Sequence, residues 1–308
     1  LGTWTQSQST DVPTGQGFVS SLKMDCTTAD ASPASSDYLK IRQRIEGQNL
    51  QYLKKGTSSA ESLTCSFFVK SNKTGTYICE LFDGDNSRAI SRTYTISSAD
   101  TWEKKTVTFP GDTTGALGND NGDSLRLSFW LGAGSDFTSG TLQSSWTGPS
   151  VNANRAVGQV NLADSTSNEW YVTGIQLEAG SQASDFEFLP VDVNFNRCKR
   201  YYQQVGDTPD GRDESKQGIT GQMWTNAQLL PTYALSPSMR TAPSMSTSTS
   251  SLGTVYTNGV GLTINSVAAN SSSRTHLQPA LSTSSAATKG YAGHVDATGG
   301  YLLIDSEL

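Results

Sequence analysis

The chain has 308 residues, 35% of them hydrophobic and 16% charged, a formal net charge of −6, and Ser and Thr together at about a quarter. That length suggests two domains of about 100–200 residues each, and the acidic balance excludes a nucleic-acid binder held by electrostatics. No apolar run approaches the roughly 20 residues that a bilayer-spanning helix needs, so membrane insertion is not expected.

Apolar residues nowhere recur with period 3.6 over a sustained stretch, whereas glycine and turn residues are frequent, so many short strands and few helices are predicted. In chain order, the spans 17–24, 38–46, 63–70, 76–82, 92–96, 102–109, 125–131, 157–162 and 170–177 alternate or run apolar between turn clusters. Nine such strands fit a two-sheet sandwich. Leu39, Ile41 and Ile45 share one face of their span while Lys40, Arg42, Arg44 and Glu46 share the other, as a strand with one solvated face requires. The clusters DGDNS at 83–87, GDTTG at 111–115 and NDNGDS at 119–124 are turns. Turn chemistry at 178–181 and an apolar linker around Phe186, Phe188, Leu189 and Pro190 then close a first domain, 1–190.

The second domain, 191–308, is predicted to hold strands at 200–205, 218–230, 231–235, 260–266, 290–295 and 301–304, with the Ser/Thr-rich stretch 244–251 as edge strand or loop. The class is all-β. Cys65 and Cys79 alternate in phase with apolar neighbours and read as small buried hydrophobes, with a disulfide across a hairpin as the alternative. No CxxC pair or nearby histidine suggests zinc.

Enzymatic machinery is not spelled out. His276 and His294 are the two histidines, neither belongs to a GxSxG or HExxH arrangement, and both read as surface or packing residues. A glycosidase pair would have to come from carboxylates. Asp112, Asp120, Asp123 and Asp136 are available, but all sit in turns, where aspartate is favoured for bonds to its own backbone. Asp112, Asp120 and Asp123 are also the candidate ligands for a structural calcium, although 120–123 lacks the spacing of an EF-hand; no other cofactor is expected.

Two aromatic residues fall out of phase. Trp130 shares a face with Arg126 and Ser128, opposite Leu125, Leu127, Phe129 and Leu131; Phe68 lies opposite Leu63, Cys65, Phe67 and Val69. Rings on the solvent side of a sandwich need cover by a loop, a subunit or the second domain, or else serve as a platform for sugar rings. Phe68, Trp130, Arg126 and Trp146 are therefore the candidate carbohydrate-binding or subunit-interface residues. The basic cluster Arg197, Lys199 and Arg200, read as part of a strand, is expected to meet acidic residues such as Asp185, Glu187 or Asp192 between domains.

GIQLEAG at 174–180, followed by DFEFLP at 185–190 and RCKRYYQ at 197–203, resembles a junction in bacteriophage virion proteins of the tail-fibre and head-fibre type. The resemblance extends upstream through YLKIRQRIEGQNLQYLKKGT, LTCSFFVKSNKTGTYICELFDGDN, DTWEKKTVTFPGD and LRLSFWLGAGS, covering most of residues 17 to 200, and the closing LLIDSEL resembles the end of the small C-terminal β domain of such proteins. It implies a carbohydrate-binding-module-like jelly-roll sandwich followed by a smaller C-terminal β-sandwich. It also implies a non-enzymatic attachment or decoration subunit on the virion surface, assembled as a homo-oligomer (a trimer, for fibres) beside other virion proteins, with host surface glycan as a further partner. The alternative is a carbohydrate-binding module of a secreted polysaccharide-degrading system. A depolymerase tailspike is disfavoured because no β-helix repeat is present.

Overall fold

A computed structural model describes residues 1–206, 219–248, 252–283, 287–297 and 300–307. The chain divides into two compact units, Leu1–Glu187 and Phe188–Leu308.

The first unit holds nine strands: β1 (Thr3–Ser9), β2 (Ser21–Thr28), β3 (Tyr38–Glu46), β4 (Leu63–Ser71), β5 (Gly75–Asp83), β6 (Arg88–Ile96), β7 (Glu103–Phe109), β8 (Asp123–Ala133) and β9 (Glu169–Ala179). They form a five-stranded sheet in the order β1-β2-β9-β4-β7 and a four-stranded sheet in the order β3-β8-β5-β6. Every pairing in both is antiparallel. Without β1, the orders 2-9-4-7 and 3-8-5-6 are those of a jelly roll, in which every successive pair except the β5–β6 hairpin crosses between sheets.

The core follows from strand parity. Leu127, Phe129 and Leu131 of β8, Tyr77, Cys79 and Leu81 of β5, and Phe67 and Val69 of β4 point inward and meet Trp170 and Val172 of β9. Phe67 packs edge-on against Phe129 and Tyr94 at centroid distances of 4.8 and 5.1 Å, the geometry aromatic quadrupoles favour. Cys65 and Cys79 are buried free thiols. They meet across the sandwich rather than along one hairpin, and burial, then a hydrogen bond with Cys65, raises the Cys79 thiol well above its usual range.

Two expectations for this unit are corrected. Thr3–Ser9 is an additional edge strand, and 157–162 is not a strand. Beyond the last β5–β8 pair, Cys79 with Phe129, the Ile78 amide donates to Gln159 Oε1 at 2.8 Å, so that segment is held by a side chain instead of a ladder.

In the second unit α2 (Val191–Lys199) replaces the expected strand around Arg197 and Lys199. Pro190 precedes it, Asp192 lies in its first turn and Arg197 and Lys199 in its last, an arrangement that complements the helix dipole. The strands are β10 (Tyr202–Gly206), β11 (Thr220–Thr225), β12 (Gln228–Pro231), β13 (Tyr233–Ala234), β14 (Ser244–Thr247), β15 (Thr254–Thr257), β16 (Val260–Ser272), β17 (His276–Thr283), β18 (Ala292–Asp296) and β19 (Tyr301–Asp305). The span expected at 218–230 is a hairpin, β11 and β12 (residue 218 lies outside the described residues), and β15 and β17 were not anticipated. Of the stretch 244–251, Ser244–Thr247 pairs with β19, and 249–251 lie outside the described residues. One sheet runs β10-β19-β14. The other runs β12-β11-β18-β15-β16-β17-β13, and β12 also pairs with β17, which closes it on itself around Met223, Leu229, Val255, Leu262 and Leu281.

Candidate functional site

The side of the four-stranded sheet turned away from the core carries an unusual density of charge. Antiparallel register lays out its rows. Arg42 of β3 stands opposite Ser128 of β8, which stands opposite Glu80 of β5; one row away, Arg44, Arg126 and Phe82 line up in the same order, and on the other side Lys40 faces Trp130.

Residues 134–156 fold over the Trp130 end of this face. The short α1 (Ser135–Thr138) places Phe137 5.4 Å from the Trp130 ring, and Ala156 donates its amide to the Phe137 carbonyl. Trp130, Ile78 and Ala156 form a small buried cluster of their own. Arg155 reaches down from this cover and grips Glu80 with two hydrogen bonds, Nε to Oε1 at 2.5 Å and Nη2 to Oε2 at 2.9 Å, while the Trp130 indole N–H donates to Oε2 at 3.3 Å. Glu80 is fully buried, and its two oxygens are both engaged by the guanidinium. Phe82 lies between two guanidinium groups, Arg155 at 4.8 Å and Arg126 at 5.2 Å from its centroid.

Lys40 and Arg42 have no such acid. Lys40 Nζ sits over the rings of Trp130 and Tyr38, at 4.1 and 4.8 Å, with no hydrogen bond or ion pair among the described residues. Burial pushes its ammonium down to about 7; Glu80 opposes the shift, and Arg155, Arg42 and Arg126 add to it. Arg42 Nε is buried without a partner, and so is the hydroxyl of Ser128 beside it. Burial, then the nearby Arg126, lowers the Arg42 guanidinium from its ordinary value. At the far end Asp123 accepts from Arg126 Nε at 2.7 Å and lies 3.4 Å from Arg44 Nε, and Glu46 accepts from Gln48. The acids thus serve Arg155, Arg126 and Arg44, while Lys40 rests on two rings and the enclosed Arg42 Nε and Ser128 hydroxyl have no hydrogen-bond partner.

The four residues singled out for sugar or subunit contact are not brought together. Trp130 and Arg126 share this face, but Trp130 is fully buried under its own unit's loop and presents no ring to a ligand, which overturns the platform role. Phe68 is on the outer side of the other sheet, where Phe18 packs at 5.5 Å and covers it; Phe18 in turn meets Phe186. Trp146 packs against the main core and donates its indole N–H to the Pro110 carbonyl.

Nor do Asp112, Asp120 and Asp123 form a calcium site. Asp112 is buried between Arg88, at 2.7 and 2.9 Å, and Lys55, at 3.0 Å. Burial would raise its carboxyl, but those two cations hold it below the usual range. Asp120 accepts from the Gly122 amide of its own turn, and Asp123 is taken by the arginines. Among the described residues no group of three or more His, Cys, Asp or Glu is placed to hold a metal ion. His294 stacks on Tyr256 at 5.4 Å and His276 is exposed beside Thr275.

Sequence reasoning passed over Lys40, Arg42, Ser128, Glu80 and Arg155. Two signals were present: a run of cations in phase on β3, and a lone glutamate inside the apolar run Tyr77–Phe82, where an ion can persist only if it is paired.

No protein-family model matches the chain, nor does any curated protein. Among solved structures, the enzymatically active domain of bacteriophage CBA120 tailspike protein 4 is similar over 58% of this chain, at 12% identity and a TM-score of 0.32, and the chain spans only 18% of that protein. A CBM4 domain matches over 56% of this chain and 77% of its own length at 12% identity and a TM-score of 0.29. A candidate sugar-binding protein from Bacteroides thetaiotaomicron matches over 58% of this chain and 83% of its own at 10% identity and a TM-score of 0.32.

Proposed function

We propose that the protein is a non-enzymatic attachment subunit whose first unit binds saccharide on the outer face of the four-stranded sheet. The observation that carries this reading is the pair Lys40 and Arg42, cations held half-buried on one sheet face with no acid of their own, Lys40 resting on the Trp130 and Tyr38 rings. Half-buried cations without an acid are costly, and a ligand rich in hydroxyl and other acceptor oxygens would offset that cost. Hydrolysis is not part of the proposal, because the carboxylates on this face, Glu80 and Asp123, are engaged by Arg155 and by Arg126 and Arg44.

The resemblance of residues 17 to 200 to tail-fibre and head-fibre proteins supports placement on the surface of a tailed-phage virion, beside other virion proteins and in several copies. Phe68 and Trp130 no longer argue for self-association, since both are covered within their own unit. Several copies would turn feeble single-site contacts into firm attachment.

Affinity electrophoresis of the full chain through gels holding neutral and acidic polysaccharides tests the reading, run beside an assay for new reducing ends. The expected result is retardation by at least one polysaccharide, with single-site affinity around the millimolar range and no cleavage. Turnover that survives purification would overturn the non-enzymatic part, and free migration through every gel would overturn the binding part.

A further inference from the structure

We propose that the Lys40–Arg42 patch takes the carboxylate of an acidic saccharide, so that the ligand is a uronic-acid-type glycan and not a neutral one. This rests on the saccharide-binding reading above. Charge and hydrogen-bonding capacity point the same way. The chain as a whole is acidic, with a net charge of −6, yet Lys40, Arg42, Arg44, Arg126 and Arg155 converge on one sheet face. Glu80, Asp123 and Glu46 are the carboxylates facing them, Glu80 consumed by Arg155 and Asp123 by Arg126 and Arg44. The cationic surplus therefore falls at Lys40 and Arg42.

The vacant bonding capacity lies at the same spot. Arg42 Nε and the Ser128 hydroxyl lack partners and are adjacent across the β3–β8 ladder. Both atoms are enclosed, so a ligand meets the exposed part of Arg42, whose planar guanidinium matches a carboxylate. A neutral sugar could accept from Arg42 but would leave its charge uncompensated in a half-buried site.

A protonation signature follows. Lys40 is held near neutrality by burial and by Arg155, Arg42 and Arg126. An arriving carboxylate favours the charged ammonium, so binding takes up a proton above about pH 7 and weakens as the pH rises.

The test is calorimetric titration of the full chain with oligogalacturonate and with a neutral gluco-oligosaccharide of equal length, in two buffers of different ionisation enthalpy. Expected are binding of the acidic oligomer at least tenfold tighter than the neutral one, proton uptake near pH 8, and a loss of about 10- to 100-fold in Arg42→Gln, the scale of one hydrogen bond to a charged group. Lys40→Met, which keeps an unbranched side chain but removes the ammonium over Trp130, should abolish the proton uptake; it carries the comparison if Arg42→Gln does not fold by circular dichroism. Equal binding of both oligomers, unmoved by either variant, overturns the carboxylate assignment and leaves saccharide binding standing. Inorganic sulfate competing as well as oligogalacturonate would mark a bare anion site and overturn the saccharide part. Binding of neither oligomer, with no sulfate binding, overturns both readings.

Discussion

Replacing Arg155 with methionine should destabilise the first unit more than any surface change. The variant keeps an apolar side chain but removes the guanidinium over Phe82 and both hydrogen bonds to Glu80, a side chain with no exposed surface. The Trp130 indole then remains as its lone donor, at 3.3 Å. Breaking a buried pair from one side costs about 3–5 kcal/mol, because the carboxylate is left charged and uncompensated. For a folding unit of this size each kcal/mol moves the midpoint by about 2–4 °C, so thermal unfolding followed by circular dichroism should fall by roughly 6–20 °C. Combining Arg155→Met with Glu80→Gln should recover at least about 1 kcal/mol relative to the sum of the single changes, as coupled partners do. Arg155 also anchors the 134–156 cover, so the single variant should shift tryptophan emission to the red as water reaches Trp130. A loss under about 1 kcal/mol, with unshifted emission, would refute the view that this pair organises the face.

Trp130→Ala should cost about 3–5 kcal/mol through the cavity it leaves, with wild-type melting restored by no saccharide, in keeping with a buried ring and not a platform. Asp112→Asn strands Arg88 beside a neutral amide, while Lys55 keeps its ion pair with Asp83, and should cost about 2–4 kcal/mol by denaturant unfolding, whereas millimolar calcium should leave the wild-type midpoint within about 1 °C; a rise of several degrees on adding calcium would restore these loops as a metal site. Lys40 is lowered to about 7 when folded against an unfolded value near 10.5, so the unfolded chain binds the extra proton between those values, and stability should climb with pH from about 7 towards 10.5, a slope that Lys40→Met removes. Of the four cysteines, only Cys198 is exposed, so one thiol should react promptly with a chromogenic disulfide and three only after unfolding.

Parity made most of the first unit legible. A period of two assigns every side chain of a strand to one sheet face once any is placed, so the inward sets of β3, β4, β5 and β8 could be read before the fold was known. It failed where a segment is held by something other than a ladder. Residues 157–162 alternate like a strand, yet Gln159 and a single bond from the Val160 amide to Thr76 do the holding. At 191–199 the apolar spacing is compatible with either element, and the signals that decide it lie in Pro190, Asp192 and the terminal cations. The second unit was harder because its strands mix serine and threonine with small apolar residues on both faces, leaving little contrast for a period to show, as in β16 and β17. Within the candidate site, parity put Trp130, Arg126 and Ser128 on one face, but which of them faces ligand depends on a loop packed over the sheet. That is a tertiary fact, and periodicity carries none of it.

The chemistry of this face is best understood by asking what a purely structural sheet would place there. Under the 134–156 cover, where Trp130 and Ile78 are already fully buried, apolar residues at positions 40, 42 and 128 would extend the cluster around Ala156 and Phe137. Replacing buried ions with well-packed apolar side chains is often neutral or stabilising. Instead the chain keeps a lysine whose charge is suppressed by burial and an arginine crowded by Arg126. Each lowers the stability of the folded state, and the cost is tolerated because Phe67, Phe129, Trp170 and their neighbours form a deep core behind the sheet. A cost borne at one patch, on the side of the sheet that the core does not need, is what a binding site requires: donors fixed in advance, so that little ordering entropy is lost when the ligand arrives. The Glu80–Arg155 pair serves the same end, since it closes the Trp130 side of the patch without neutralising Arg42.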